Sequence, residues 1–220
     1  MAGVASDDAG VTRATRRLPA LWAALALLLV AAASEASHIT NASFEADGYI
    51  TFAGTPPTGW SFTQTDTDLR GDTLGLPTDG SRGGRFFLAT NGSVAAGALA
   101  SVSQSVDLTD RTSIMFDVDL NCAPGSCAWH SFLSASFYID GSLEWSSQTL
   151  GTALDQTIDV SLLTGLHTLE FRLEALSSGS AAGRSSHFSF DNVRVVPEPS
   201  AGLLLAAGLL ALGLRRRALR

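Results

Sequence analysis

His167-Thr-Leu169-Glu-Phe171-Arg-Leu173 decides the fold. In an extended chain successive side chains point to opposite faces, so Leu169, Phe171 and Leu173 share one face and Thr168, Glu170 and Arg172 the other. The same period of two runs through Met115-Phe-Asp-Val-Asp-Leu120, where Phe116, Val118 and Leu120 fall together. Working outward, segments rich in β-branched and aromatic residues recur at 60–63, 85–90, 98–106, 113–120, 134–139, 157–162, 167–175 and 188–195, separated by Gly, Asp, Asn and Ser clusters. Asp140-Gly141, between Phe137-Tyr-Ile139 and Leu143-Glu-Trp145, is a two-residue hairpin signal. No segment of the middle keeps a helical period. The pattern predicts an all-β fold, an antiparallel β-sandwich or jelly roll.

The two ends of the 220-residue chain are unlike this middle. Arg13, Arg16 and Arg17 precede the apolar run 21–33, and Ser34 and Ala36 occupy the −3 and −1 positions of a cut after Ala36. A basic start, a short apolar stretch and a small-x-small site predict a secretory signal peptide over 1–36. At the other end Pro197-Glu198-Pro199 precedes an apolar run over 201–214 and a basic finish containing Arg215, Arg216 and Arg217. Prolines block helix and separate the domain from that run. As a helix the run is about 21 Å long, short of the ~30 Å hydrocarbon core, and its arginines would stay cytoplasmic. The expected division is a signal peptide at 1–36, a β-sandwich domain at 37–196 and a sorting tail with a short transmembrane helix at 197–220.

The stretch 38–196 holds 7 arginines against 17 carboxylates, a net of −10. Such a charge repels phosphate backbones, so nucleic acid is not an expected partner. Two cysteines, Cys122 and Cys127, flank Ala-Pro-Gly-Ser. In an oxidising compartment this spacing predicts a disulfide clasping the loop, since Pro124-Gly125 favours a tight turn; two Cys without paired His make a poor zinc set.

The tail resembles the PEP-CTERM sorting signal in all three of its parts and their order. The resemblance implies recognition by an exosortase-type membrane protease, passage through the inner membrane, and delivery to the cell surface or matrix of a Gram-negative bacterium. The middle resembles the galactose-binding-like jelly roll of carbohydrate-binding modules. The matching pieces are Ile39-Thr-Asn41-Ala-Ser43-Phe44-Glu45, Gly59-Trp60, Ser101-Val-Ser-Gln104-Ser-Val106-Asp-Leu108, Tyr138-Ile-Asp140-Gly141, Gly165-Leu-His167-Thr-Leu169 and Phe190-Asp191-Asn192-Val193. This resemblance implies a structural Ca²⁺ with Glu45 and Asp191 as side-chain ligands, and exopolysaccharide as a partner. Two carboxylates alone do not complete the shell of six to eight oxygens.

Flat aromatic faces stack on sugar rings, which makes Trp129, with His130 beside it, the candidate ligand contact after the clasped loop. Trp60 is expected inside the core, Trp145 at a strand edge, and Asn121 and Arg85 as possible polar contacts. Asp66-Thr-Asp68-Leu-Arg70-Gly71-Asp72 opens like an EF-hand loop, but Arg70 and Pro77 occupy ligand positions, so it reads as a solvated acidic loop. His38, His130, His167 and His187 are scattered, and no Gly-x-Ser-x-Gly elbow occurs. The expected function is non-catalytic association with exopolysaccharide. A purely structural matrix protein is the alternative, and a secreted glycoside hydrolase a remote one.

Overall fold

A computed structural model describes residues 39–74, 80–89, 91–122, 131–181, 186–198 and 208. The signal segment 1–36, Cys127, Trp129, His130, Pro199 and Arg215 to Arg217 lie outside the described residues, as do the expected disulfide and transmembrane helix. Ser37–Glu198 forms one compact unit. Its strands are β1 (Ser61–Gln64), β2 (Leu69–Asp72), β3 (Gly84–Leu88), β4 (Ser93–Val94), β5 (Leu99–Asp107), β6 (Arg111–Cys122), β7 (Leu133–Ile139), β8 (Ser142–Ser147), β9 (Gly151–Asp159), β10 (Leu166–Ala175), β11 (Gly179–Ser180) and β12 (Ser186–Pro197). They build one five-stranded sheet in the order β1-β5-β10-β7-β8, a second in the order β2-β3-β12-β6-β9, and a β4–β11 ribbon. Every strand pairing is antiparallel.

The alternation places the core between the two large sheets. Leu169, Phe171 and Leu173 of β10 are fully buried, and so are Ile114 and Phe116 of β6. Phe171 lies flat on Phe190 of β12, centroids 4.6 Å apart at 11°, and meets Phe116 edge-on at 5.1 Å. Such pairs add about 0.5–1.5 kcal/mol each beyond the area they bury. Trp60 is 5% exposed as expected, and stacks on Phe44 at 5.3 Å. Asp140 and Gly141 both take positive φ (50° and 78°), the geometry a two-residue primed turn requires.

One expectation is corrected. The stretch 66–72 is not a solvated loop throughout: Leu69–Asp72 is strand β2, paired with β3. Gly71 lies beneath Phe52, where a Cβ would come within 2.4 Å of Cδ2 of the ring. Asp72, 3% exposed, accepts two hydrogen bonds from Arg85, with Nε to Oδ1 at 2.9 Å and Nη2 to Oδ2 at 2.5 Å. The pairing removes this carboxylate from water, which composition alone does not reveal.

Candidate functional site

Strand direction gives the domain two poles. β6 runs from Arg111 to Cys122, and β12 returns antiparallel beside it, with Ser186 opposite Cys122 and Pro197 opposite Arg111. The chain therefore leaves the domain at the pole where β6 begins. There the Glu198 amide donates to the Asp110 carbonyl at 2.9 Å, and the Thr112 hydroxyl donates to the Val196 carbonyl at 3.3 Å. Pro197 and Glu198 are thus tied to the β5–β6 turn. The other end of β6, at Cys122, is roughly 40 Å away for 12 residues in strand.

Towards that second pole, the outer face of the β10–β7–β8 part of the first sheet carries a groove of about 530 Å³. Ser134, Ser136 and Tyr138 reach it from β7, because their neighbours Ala135, Phe137 and Ile139 take the core face. Glu174 of β10 and Ser146, Ser147, Gln148 and Thr149 complete its polar lining, with Leu143 and Leu176 as exposed apolar members. The Tyr138 hydroxyl lies 3.5 Å from Glu174 Oε2, and the Arg172 guanidinium sits 4.1 Å from the Tyr138 ring centroid. Arg172 is held there by Glu170, Nη2 to Oε2 at 2.7 Å. Gln148 Nε2 donates to the carbonyls of Ser131 and Leu133 at 3.1 and 2.9 Å, which pins the groove wall to the chain just after the 123–130 loop. Glu174 is the one carboxylate among the described lining residues. Ser134 and Ser136 are nearly buried with their hydroxyls 3.4 Å apart, so the groove's accessible polar groups are the Tyr138 phenol, the Glu174 carboxylate and the rim of Ser146, Gln148 and Thr149, the chemistry of a hydroxyl-bearing ligand.

The sequence candidates are distributed differently. Trp145 is half-buried and packs against Phe116 and Phe188, centroids 5.9 and 6.2 Å away, so it serves the core. Arg85 and Asn121 do share a face, the outer side of the second sheet. In register across it run Asp72, Arg85, Ser189, Asp119 and Thr152, with Asn121 opposite His187 in the next row. Burial, then the nearby Arg85 charge, hold the His187 imidazole below its ordinary pKa. Thr152 donates its hydroxyl to Asp119 at 2.5 Å, so this face is occupied by its own polar contacts. A smaller recess of about 350 Å³ lies beside β1, but its ring, Phe62, is packed against Phe52 and Phe86. Tyr138 went unremarked as a contact in the sequence. Its signal was the outward alternation Ser134, Ser136, Tyr138.

Glu45 lies on a 3-10 turn (Glu45–Asp47), where its carboxylate accepts the amides of Ser81 and Arg82 and the Ser81 hydroxyl. Burial acts to raise its pKa, but these hydrogen bonds outweigh it and hold the group below the ordinary value. Asp191 is buried and stands opposite Asp117 in the β6–β12 ladder. Asp117 in turn accepts the Asp155 amide at 2.7 Å and the Asn192 side-chain amide at 3.2 Å. Among the described residues no three His, Cys, Asp or Glu side chains converge as a metal set. Glu45, engaged as a turn cap, and Asp191 fall short of the oxygens a calcium ion takes.

A family model described as the PEP-CTERM protein-sorting motif matches residues 195–217. No curated protein matches the chain. Among solved structures the chain is similar to the module TmCBM61, determined in complex with β-1,4-galactotriose, at TM-score 0.42 and 14% identity, covering 74% of this chain and 99% of that one. It is similar to CBM27-1 of Caldicellulosiruptor saccharolyticus, determined with mannohexaose, at TM-score 0.41 and 15% identity over 68% and 96% of the two chains. Similarity to the enzymatically active domain of bacteriophage CBA120 tailspike protein 4 has TM-score 0.40 and 13% identity, and covers 73% of this chain but 21% of that one. Likenesses this distant say nothing about ligand, and the two-sheet architecture stands on the strand pairings themselves. From the last strand of its all-β antiparallel domain onward, the chain carries a PEP-CTERM protein-sorting motif, the mark of an exported protein processed at the membrane.

Proposed function

We propose that an exosortase-type protease sorts this protein to the surface or matrix of a Gram-negative bacterium, where its β domain associates non-catalytically with exopolysaccharide. The observation that carries the reading is the polar groove of Tyr138, Ser146, Gln148, Thr149 and Glu174, turned towards the pole remote from the start of the sorting motif. Its volume lies in the range of small-ligand sites, and its polar lining suits a saccharide better than a lipophile. A single carboxylate in the described lining supports binding over hydrolysis, since glycoside cleavage uses a flanking pair. Trp129 and His130, in the segment that precedes β7 in the sequence, are proposed to extend the contact. A glycan and exopolysaccharide binding screen on residues 37–198 tests this, with Tyr138→Ala and Trp129→Ala as variants. Saturable binding weakened about tenfold or more by Tyr138→Ala is the expected result. A folded domain that binds no glycan would leave a structural matrix protein. Binding lost with Trp129→Ala alone would move the contact from the groove to the loop.

A further inference from the structure

We infer that the sorting pole of the domain rests on the bilayer surface, with Leu162 and Leu166 entering the headgroup region beside the point where the chain leaves. The inference rests on the sorting-tail reading and adds to it a docking surface on the folded domain. Leu162 is 94% exposed and Leu166 76% exposed, more than any other large apolar residue among the described residues. Exposed leucines are ordinary one by one, but here the two most exposed stand together beside the chain's exit.

The loop that carries them is held, not loose. The Val160 amide donates to the Thr112 carbonyl and the Leu163 amide to the Val160 carbonyl, each at 2.9 Å. Leu163 turns inward against the core, leaving Leu162 at the tip. The Gly165 amide donates to the Thr109 hydroxyl at 3.0 Å, and the Gly165 carbonyl accepts the Leu108 amide at 2.9 Å. The same β5–β6 turn, through the Asp110 carbonyl, holds Glu198 at 2.9 Å. One turn thus clasps both the leucine loop and Glu198, just before the tail.

Only Pro199 and Ser200 separate Glu198 from the apolar run 201–214. Three residue steps reach at most about 11 Å. A domain on so short a tether stays at the membrane surface while the tail is inserted, and this pole is the part that meets it. Asp107, Asp110, Asp159 and Glu198 lie at the strand ends and turn of this pole against the one arginine among its described residues, Arg111, so the partner is a zwitterionic rather than an anionic lipid surface. Leucine side chains at the interface then add apolar contact of the kind that holds interfacial segments.

The test uses the full chain in phosphatidylcholine nanodiscs, with leucine methyl groups observed by NMR and a doxyl-labelled phosphatidylcholine as broadening agent. Leu162 and Leu166 are expected to lose about half their intensity or more, while Leu176 keeps its own. Leu176 follows the far end of β10 from Leu166, roughly 33 Å away. Equal broadening of all three would overturn the docking. So would shifts of Leu162 and Leu166 that track protein density without the spin label, which would assign the patch to a second copy. Co-flotation of the chain with vesicles separates the two layers: a chain that floats without leucine broadening sinks the docking alone, and one that does not float sinks the tail reading with it.

Discussion

Gly84→Ala gives a sharp test of the packing between the sheets. A Cβ at Gly84 would lie 2.3 Å from Phe190 Cε2 and 2.5 Å from Cζ, against about 3.5–4.0 Å for carbon atoms in contact. The ring would have to retreat by more than 1 Å (roughly, from the same contact distance), and its neighbours leave no room. Phe171 is stacked on it at 4.6 Å, Phe86 lies at 5.0 Å and Phe44 edge-on at 5.2 Å. Overpacking of this kind costs about 1–3 kcal/mol, and a rigid ring sits at the upper end. Replacing glycine in a strand returns about 0.5–1 kcal/mol through the unfolded chain, leaving a net loss of about 2 kcal/mol. For a domain of this size that lowers Tm by about 4–8 °C. The assay is urea unfolding of residues 37–198 followed by tryptophan fluorescence, with m unchanged. Shortening the ring should relieve the clash: Gly84→Ala/Phe190→Leu should be no less stable than Phe190→Leu alone, a coupling of at least about 1.5 kcal/mol. Gly97→Ala is the control, having no neighbour within 4 Å but φ of +81°, so it loses about 1 kcal/mol to backbone strain that Phe190→Leu does not relieve. A Gly84→Ala loss under about 0.5 kcal/mol, or no relief in the double variant, would refute this account of the core.

Arg85→Ala strands the buried Asp72 carboxylate and should cost about 2–4 kcal/mol by urea midpoint, part of it recovered by adding Asp72→Asn. His167 Nδ1 lies 2.6 Å from Asp140 Oδ2, and this hydrogen bond, more than any other contact, raises the His167 pKa above its ordinary 6.5. Asp140 is held below 3.8, first by the Thr168 amide and then by His167. The histidine contribution is therefore complete below pH 6.5 and lost as pH rises through the raised value, whereas the Asp140 contribution is lost only as pH falls through the lowered one. With Asp140 half exposed the effect stays within about 1 kcal/mol, and His167→Gln should flatten the fall in stability between about pH 6 and 8; an unchanged slope would show the pair contributes nothing. Since Glu45 already caps the 80–82 turn, Tm should be the same in Ca²⁺ and in chelator; a rise of several degrees with Ca²⁺ would place a cation there.

What the sequence made legible was the part of the fold that is two-faced. β6, β7, β10 and β12 alternate between a core side and a polar side, and their reading needs only the period of two. β9 was seen only in its last three residues, 157–159, because Gly151–Asp159 is an edge strand with no buried residue to set a pattern. β2 was hidden by charge: Arg70 and Asp72 look solvated until Arg85, 13 residues later, is brought opposite Asp72. The groove was half legible. Ser134, Ser136 and Tyr138 can be placed on one face by counting, but Glu174 joins them only through β10–β7 register, which pairs it with Ser134. Glu45 has partners far along the chain that its motif does not show. Its carboxylate is committed to Ser81 and Arg82, partners that a motif at 41–45 does not contain.

The topology links these local facts to function. The family match begins at residue 195, inside β12, so the first residues of the sorting motif are also the last rungs of a core ladder. Val196 pairs with Ser113 and Pro197 with Arg111, at the start of β6. An antiparallel partner must end where its neighbour begins, so a tail on β12 cannot lie at the pole where β6 ends. The far end of β6, at Cys122, therefore lies at the pole opposite the start of the sorting motif. One more or one fewer strand between β6 and the C-terminus in that sheet would reverse this polarity. The single pairing of β6 with β12, with the fully buried Phe116, Phe188 and Phe190 on its inner face, thus sets which pole carries the start of the sorting motif.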